Sequence, residues 1–310
     1  MRLVTFLDAA ASSRHPRLGV LFPDGEDLLD VFQAIGVSGD DAENICMRPE
    51  TFTVDGAFIS GAKEMYRRMV SATEPTGILK AAVRSLDSVR LAAPVPRPGK
   101  IICIGLNYRD HAAESDMKLP ERPLIFSKFP TCVIGNGETI ELPAGNEEAD
   151  YEAELAVIIG KRGRNIEKER AMEHVLGYAN FNDVSERGFQ FADGQWQRGK
   201  SCDTFAPIGP YLVTADEIPD PGQLSIKLRL NGETLQDSNT DQLIFDVSTL
   251  ISYISETVTL EPGDVIATGT PAGVGFARNP PIYLNDGDVV EVEIQGLGVL
   301  SNPVRGQTPV

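Results

Sequence analysis

The chain has 310 residues, of which 42% are apolar and 24% charged, and this composition is typical of a folded globular protein. Its formal net charge of −17 disfavours nucleic acid and anionic membranes as main partners, because both are bound through clustered lysine and arginine. A small anionic substrate is still compatible with this charge, since a metal ion or a lysine can reverse the local field. The sequence also contains no apolar run as long as a membrane span.

The cysteine and histidine content limits which cellular compartments and which kinds of metal site are expected. The four cysteines are far apart and form no CxxC pair, as expected for reduced thiols inside a cell. The stretch MRLVTFLDAAASSRHPRLG does not resemble a secretory signal, because Asp8 interrupts its apolar run. We therefore predict a cytoplasmic protein. With only three histidines, a metal site is expected to consist mainly of carboxylates.

Residues 1–93 are predicted to form a small α/β domain. LVTFL and LGVLF have the composition of short strands, and the apolar residues of DLLDVFQAI recur at helical spacing. A second helix is predicted from about Gly56 to Val70. The prolines of PVPRPGK favour an extended connection, so we place a boundary between residues 93 and 94. A larger domain is expected over residues 94–310.

This larger domain is predicted to be mainly β. IICIGLNY and DVIATGTPAGVG each begin as a buried strand, and VIGNGETIEL suggests a hairpin or a sharp bend. LSIKLRLNGETLQ predicts a hairpin with Asn231 and Gly232 in the turn, and DGDVVEVEIQGLGVLSNPV predicts two closing strands. EKERAMEHVLG and DVSTLISYISETV predict helices, the second capped by Asp246. The expected fold class is therefore α+β, mainly β.

The stretch DYEAELAVIIG combines an apolar strand with a row of carboxylates at Asp150, Glu152 and Glu154. On one strand these side chains share a face, and at ~6.6 Å the repulsion between two of them is about 2.5 kcal/mol. Water at a solvated strand end or a bound cation would relieve it. Asp183, in FNDVSERGFQ, follows another predicted strand, where it could cap a turn or supply a third ligand. Three carboxylates would suit Mg²⁺ or Mn²⁺.

Three further segments carry candidate functional groups. On the short helix predicted in GLNYRDHAAES, His111 and Glu114 share a face, as in a general base oriented by a carboxylate or in a surface ion pair. Lys200, in GKSCDTFAPIGP, could stabilise an enolate, bind a carboxylate or be an ordinary exposed lysine. ATGTPAGVG offers backbone N–H groups and the hydroxyls of Thr268 and Thr270 to an anion, or forms a plain turn. It lacks the GK[ST] ending of a nucleotide-binding loop.

The order of these segments resembles the fumarylacetoacetate hydrolase superfamily. The resemblance extends from about residue 98 to the C-terminus and is carried by GLNYRDHAAE, FSKF, DYEAELAVIIGK, GYANFNDVSERGFQ, GKSCDTFAPIGPYLV, NGETLQDSNTDQLIF and GDVIATGTPAGVG. It implies a rolled β-sandwich catalytic domain with a small, variable N-terminal domain. It also implies a homodimer, one Mg²⁺ or Mn²⁺ per subunit and a small 2-oxo or diketo acid as substrate.

The resemblance also implies roles for individual residues. The implied metal ligands are Glu152, Glu154 and Asp183. The implied catalytic residues, with the His–Glu pair on a helix that orders over the substrate, are His111, Glu114 and Lys200. The residues implied to contact the substrate are Arg187, Gln190 and Thr270.

The activity expected first is hydrolysis of a C–C bond in a 2,4-diketo acid such as an acylpyruvate. With the metal as Lewis acid, His111 would activate a water that attacks the 4-carbonyl, and pyruvate would leave as an enolate stabilised by Lys200. The alternative is decarboxylation or tautomerisation of oxaloacetate, or another lyase or dehydratase reaction of a 2-oxo acid, at the same site. A third hypothesis, a catalytically silent dimeric scaffold, gives no role to His111, Glu114 and Lys200 together.

Overall fold

The computed structural model of the protein describes residues 1–9, 16–37, 45–71, 77–145, 148–192 and 194–306. The strands are, in chain order, β1 Arg2–Asp8, β2 Arg17–Leu21, β3 Asp27–Asp30, β4 Val83–Ser85, β5 Val89–Ala92, β6 Ile101–Gly105, β7 Leu124–Lys128, β8 Val133–Ile134, β9 Ile140–Leu142, β10 Ala149–Asp150, β11 Ala153–Ile159, β12 Val175–Asn182, β13 Ser185–Glu186, β14 Ala206–Thr214, β15 Ser225–Leu230, β16 Glu233–Asn239, β17 Val265–Ala267, β18 Val289–Ile294 and β19 Val299–Gly306. The α-helices are α1 Val31–Ala34, α2 Ala57–Ser71, α3 Gly77–Ala81, α4 Arg109–Glu114, α5 Arg187–Ala192, α6 Gln197–Lys200 and α7 Val247–Ser255. The predicted α+β, mainly β class is confirmed.

Two sheets contain most of the strands. The larger runs in the order β4-β3-β2-β1-β14-β12-β11-β17-β6-β7, and the smaller in the order β16-β15-β18-β19-β9. Strand β1 joins the N-terminal strands to the rest of the larger sheet, because it pairs with β14 with Arg2 opposite Val213. One sheet therefore continues through both predicted domains, and the division into residues 1–93 and 94–310 stays a prediction.

Strand β11 lies inside the larger sheet between β12 and β17, and all seven of its residues are buried. Leu155 and Val157 belong to one hydrophobic cluster, whereas Ala156 and Ile158 belong to another. Since successive side chains of a strand point to opposite faces, both faces of β11 are covered. The unbroken apolar run of this strand therefore places the acidic residues at its N-terminal end in the interior.

The predicted hairpin and the predicted capped helix are both confirmed. Strands β15 and β16 pair with Leu230 opposite Glu233, and Asn231 and Gly232 both have positive φ, as a two-residue type I′ turn requires. Helix α7 begins directly after Asp246, whose side chain accepts a hydrogen bond from the Thr249 N–H. The predicted second helix is also present as α2.

Other elements differ from the sequence predictions. The first half of DLLDVFQAI is strand β3, because Leu28 and Leu29 pair with β2, and only its second half forms helix α1. Of the two structures predicted for VIGNGETIEL, the sharp bend is present as a turn at Asn136 and Gly137, whereas the hairpin is not: β8 pairs with β14 and β9 with β19. The helix predicted in EKERAMEHVLG is present over Lys168–His174 as a 3₁₀-helix. For β3, β8 and β9, strand partners distant in sequence override the local pattern.

None of the helices in the described part of the chain is both long enough and apolar enough to cross a bilayer.

Candidate active site

Three buried carboxylates meet at the N-terminal end of β11. Glu152 and Glu154 flank Ala153, the first residue of this strand, and Asp183 directly follows β12. The two strands pair with Ala153 opposite Asn182, so the end of β12 lies beside the start of β11. One carboxylate oxygen from each residue therefore lies within 4.8 Å of the other two. We call Glu152, Glu154 and Asp183 the acidic triad.

Asp150 does not extend this row, so the prediction of three carboxylates on one face of one strand is wrong. The chain changes partner between Asp150 and Ala153, because Asp150 ends β10, which pairs with β13. The Asp150 carboxylate instead accepts hydrogen bonds from Arg187 Nε at 2.9 Å, from Arg187 Nη2 at 2.7 Å and from the Gly275 N–H at 2.7 Å. It thus fixes the guanidinium of Arg187.

Two buried lysines compensate the acidic triad. Lys200 Nζ lies 2.7 Å from Glu152 Oε2 and 2.8 Å from Asp183 Oδ2. Lys128 Nζ donates to Asp183 Oδ1 at 2.6 Å and to the Val184 carbonyl at 2.9 Å. Lys128 stands in the FSKF segment of the resemblance but is not among the site residues predicted from the sequence. The signal available there was a lysine at the end of a predicted strand, which alone does not distinguish a buried side chain from an exposed one.

The charge balance of this region favours a bound cation. When all groups are ionised, four buried carboxylates face three buried cations and leave one net negative charge; the groups are Asp150, Glu152, Glu154 and Asp183 against Lys128, Arg187 and Lys200. Burial, with the charges of Asp183 and Glu152, raises the pKa of Glu154 well above its usual range. Burial also raises the pKa of Glu152, but Lys200 and Arg187 outweigh this effect and lower it to about 2. An oxygen-only ligand set with excess negative charge fits a divalent cation such as Mg²⁺ or Mn²⁺.

His111 and Glu114 lie on α4 as the helical spacing predicts. His111 Nδ1 is 3.3 Å from Glu114 Oε2, and the side chains are 12% and 24% exposed. The Gly273 N–H donates to both carboxylate oxygens of Glu114, at 2.9 and 3.1 Å. Burial raises the pKa of Glu114, but the hydrogen bonds from His111 and Gly273 lower it overall. An ionised Glu114 therefore holds Nδ1 of His111 and leaves Nε2 as the nitrogen available for proton transfer.

The glycine-rich loop after β17 binds carboxylates of the protein itself. Its N–H groups at Gly269, Gly273 and Gly275 donate to Glu154, Glu114 and Asp150, respectively. Gly269 has φ of +104° and Gly273 of +101°, values that residues with a side chain rarely adopt. Three of the donors expected for an external anion are thus already used. The loop instead contacts the acidic triad through Glu154, the His–Glu pair through Glu114, and the carboxylate of Asp150, which binds Arg187.

A cavity of about 420 Å³ lies against these groups. Seven of the nine residues expected in the site line it: His111, Glu152, Glu154, Arg187, Gln190, Lys200 and Thr270. Asp183 and Glu114 are not in the lining and contact Lys200 and His111 from behind. The remaining wall is mostly apolar, and the sequence analysis did not predict its members, among them Met117, Leu124, Phe126, Phe191, Trp196 and Phe276. Their roles in the site are proposals, as are those of the nine.

Comparison with known proteins identifies the family. The family model described as fumarylacetoacetate (FAA) hydrolase C-terminal matches residues 100–305. A Xenopus laevis protein named oxaloacetate tautomerase fahd2, mitochondrial, is 42% identical over 306 residues, which are 98% of this chain and 90% of the relative. A Rattus norvegicus protein named oxaloacetate tautomerase Fahd2a, mitochondrial, is 49% identical over 219 residues, or 70% of each chain.

A solved structure gives the same result for the fold. The crystal structure of maleylpyruvate hydrolase from Sphingobium.sp SYK-6 matches with a TM-score of 0.75 and 32% sequence identity. The match covers 99% of this chain and 100% of that chain. The small N-terminal region is therefore part of the similarity, as well as the region matched by the family model.

The comparisons correct the predicted compartment. Both curated relatives are named as mitochondrial proteins, so the prediction of a cytoplasmic protein is wrong. That prediction rested on reduced thiols and on the lack of a secretory signal, and neither feature separates one reducing compartment from another. The family assignment, in contrast, rests on a model that matches more than half of the chain and on relatives with over 40% identity. The chain belongs to the fumarylacetoacetate hydrolase family.

Proposed function

We propose that this protein interconverts the enol and keto forms of oxaloacetate, with a divalent metal ion at the acidic triad. The observation that carries this choice is the similarity to the oxaloacetate tautomerase of Xenopus laevis, which extends over 98% of this chain. It favours the alternative that the sequence analysis named over the hydrolysis of an acylpyruvate. The arrangement of charged groups around the cavity supports the same chemistry.

Two cationic groups are proposed to act on the oxygen at C2 of the substrate. Mg²⁺ or Mn²⁺, one ion per subunit, would be held by the acidic triad and would act as a Lewis acid toward the 2-oxo group. Burial lowers the pKa of Lys200, but Asp183 and Glu152 outweigh this and raise it above its ordinary value. In the metal-free site Lys200 is therefore an ammonium group. We assign it the stabilisation of negative charge on the C2 oxygen, not the removal of a proton.

His111 is proposed to carry the proton. Conversion of the keto form removes a proton from C3; the C–H electron pair forms the C2=C3 bond, the C2=O π electrons move onto oxygen, and the resulting oxyanion takes a proton from the His111 imidazolium or from water. His111 lines the cavity and is held through Nδ1 by Glu114 at 3.3 Å. Its Nε2 can accept the proton from C3 and return it in the opposite direction. Ionised Glu114 stabilises the imidazolium that forms in between.

Arg187 and Gln190 are proposed to bind the C4 carboxylate of oxaloacetate. Arg187 Nη1 donates to Gln190 Oε1 at 2.8 Å, which leaves the amide nitrogen of Gln190 as a donor. In the described part of the chain this nitrogen has no hydrogen-bond partner, and both side chains line the cavity. Thr270 is proposed to bind the C1 carboxylate from another side. Two anchored carboxylates would place C3 of the substrate in one position.

Hydrolysis of a C–C bond is the second candidate. The observation in its favour is the similarity over 99% of this chain to the solved structure named maleylpyruvate hydrolase. The same His–Glu pair could deprotonate a water instead of C3. The two candidates differ in the group that His111 deprotonates. In the first it is C3 of oxaloacetate, and in the second it is a bound water molecule. The largely apolar wall of the cavity supports the first, because it offers few partners to a water molecule.

Rates and products together test this proposal. Stopped-flow absorbance follows the loss of enol-oxaloacetate with Mg²⁺ or Mn²⁺ present, and product analysis by mass quantifies pyruvate and cleaved acylpyruvates. We expect the parent protein to catalyse ketonisation at a higher rate than the release of pyruvate from oxaloacetate and at a higher rate than the cleavage of any acylpyruvate. Lys227→Met, which removes an exposed lysine outside the site, should behave like the parent. If the protein cleaves an acylpyruvate faster than it converts enol-oxaloacetate, the tautomerase proposal is wrong and hydrolysis of a C–C bond takes its place.

We also propose a homodimer, on the basis of the family resemblance. Light scattering behind size-exclusion chromatography tests it, because a dimer should have about twice the mass of 33.6 kDa. A monomer at the concentrations of the activity assay would contradict it.

A further inference from the structure

Gln236 lies behind the glycine-rich loop after β17 and joins this loop to the start of β11. It is a residue of β16, and its side chain is 1% exposed. Its Oε1 accepts the Ala153 N–H at 2.9 Å, and Ala153 separates Glu152 from Glu154. Its Nε2 donates to Thr270 Oγ1 at 2.9 Å and to the Pro271 carbonyl at 2.9 Å. All hydrogen-bonding groups of this amide except one lone pair are therefore used.

The two backbone partners fix the orientation of the amide. A backbone N–H can only donate and a carbonyl oxygen can only accept, so the atom facing Ala153 must be the oxygen and the atom facing Pro271 must be the nitrogen. An exchange of the two atoms would place donor against donor and acceptor against acceptor. The direction of the third bond follows: Gln236 donates, and the Thr270 hydroxyl accepts.

This direction determines what Thr270 presents to the cavity. A hydroxyl has one proton and two acceptor lone pairs. Since one lone pair accepts from Gln236, the proton must point elsewhere. Within the described residues the Thr270 hydroxyl donates to no acceptor, and Thr270 is 5% exposed and lines the cavity. This O–H is thus free to point into the cavity.

We propose that Gln236 is a positioning residue that makes Thr270 a hydrogen-bond donor to the C1 carboxylate of the substrate; this rests on the proposed function. The amide prevents the Thr270 hydroxyl from donating to the protein behind it. Through Ala153 it also holds the donor in register with the acidic triad. A carboxylate of the substrate is then bound by the hydroxyl on one side of the cavity while its 2-oxo group faces Lys200.

A double-mutant cycle tests this role, with Gln236→Glu and Thr270→Val as its single changes. Glutamate keeps the volume of glutamine and an acceptor for the Ala153 N–H, but its ionised carboxylate can only accept a hydrogen bond from the Thr270 hydroxyl and cannot donate one. Valine keeps the shape of threonine and removes the hydroxyl. The added negative charge acts with threonine or valine at position 270, so it cancels when the two effects are compared. Gln295→Glu adds the same charge at an exposed position and serves as the matched control.

The readouts are the Kd for oxalate in the presence of Mg²⁺ and the KM and kcat for oxaloacetate. A hydrogen bond to a charged group is worth about tenfold to a hundredfold in affinity. With threonine at position 270, we expect Gln236→Glu to raise the Kd for oxalate and the KM for oxaloacetate by about tenfold to a hundredfold. With valine at position 270, the same change should raise them by less than about a fifth of the factor measured with threonine. The effect on kcat should be smaller than the effect on KM. The control should stay within about twofold of the parent, as expected for a surface change.

An equal loss in both backgrounds would overturn the proposal and leave Gln236 with a role in stability alone. If Gln236→Glu does not fold, as judged by its thermal transition, Gln236→Met is carried through the same cycle and the same two outcomes decide. Thr270→Ser keeps the hydroxyl and should retain the coupling to Gln236. Failure of the proposed function is recognised separately: a parent that does not convert enol-oxaloacetate refutes the tautomerase, while the oxalate cycle still decides the role of Gln236.

Discussion

Replacing Lys200 by methionine tests the charge balance of the site. Its Nζ lies 2.7 Å from Glu152 and 2.8 Å from Asp183, and its side chain is 2% exposed. Removal of one partner of a buried ion pair costs about 3–5 kcal/mol, because the other charge is left uncompensated. For 310 residues, an unfolding entropy of ~2.1 cal/mol/K per residue amounts to about 0.65 kcal/mol/K. We therefore expect Tm to fall by about 5–8 °C in the absence of metal.

A divalent cation should reverse part of this loss. With all groups ionised, the four buried carboxylates of the variant face only Lys128 and Arg187, so the net charge of these protein groups changes from −1 to −2. Mn²⁺ should then raise Tm more in the variant than in the parent. The proposed tautomerase activity should nevertheless fall by about 10²–10³-fold, the usual effect of removing one preorganised group that stabilises an oxyanion. Scanning calorimetry in EDTA and in Mn²⁺, with stopped-flow rates, measures both effects.

Lys227→Met is the matched control. Lys227 pairs with Asp237 at 3.1 Å on the surface, where the two side chains are 40% and 57% exposed. Such a pair contributes about 0–1 kcal/mol, so Tm should change by less than about 2 °C and metal should have the same effect as in the parent. The reasoning is refuted if Lys200→Met melts at the parent temperature in EDTA, or if Mn²⁺ stabilises it no more than it stabilises the parent.

Three further predictions concern the metal, the base and a helix cap. Changing any member of the acidic triad to its amide should abolish activity and weaken Mn²⁺ binding in calorimetric titrations; activity of the parent that persists after thorough treatment with EDTA would contradict the metal site. His111→Ala should slow tautomerisation by about 10²–10⁴-fold and leave oxalate binding nearly unchanged, because His111 is not a proposed ligand; an unchanged rate would remove it from the mechanism. Asp246→Ala should lower the free energy of unfolding by about 1 kcal/mol in urea titrations, since Asp246 caps α7. Burial raises the pKa of Asp246, but hydrogen bonds from Thr249 lower it overall. The cap therefore stabilises the protein at neutral pH and loses its effect as the pH falls through the lowered pKa, so parent and variant should converge in acid; a constant difference would show that the charge of Asp246 has no part.

The sequence determined the features that depend on spacing within one element. His111 and Glu114 are three residues apart, which places them on one face of any helix, and they contact each other on α4. The alternating pattern around Asn231 and Gly232 specified a hairpin and its turn together. The run of apolar residues in β11 specified a buried strand with glutamates at its start. Each of these patterns is local, because the period of a helix or a strand fixes the geometry.

The tertiary structure decided which distant groups meet. The register of β11 against β12 brings Asp183 to Glu152 and Glu154, and no residue near Asp183 in the sequence fixes that register. Likewise, only packing shows that Lys128 is buried against Asp183 and that the Asp150 carboxylate pairs with the Arg187 guanidinium. Gln236 reaches Thr270 from another sheet, a contact that neither segment predicts. Side-chain periodicity repeats within each strand, whereas the pairing of strands depends on the burial of all of them at once, so these contacts exist only in the folded chain.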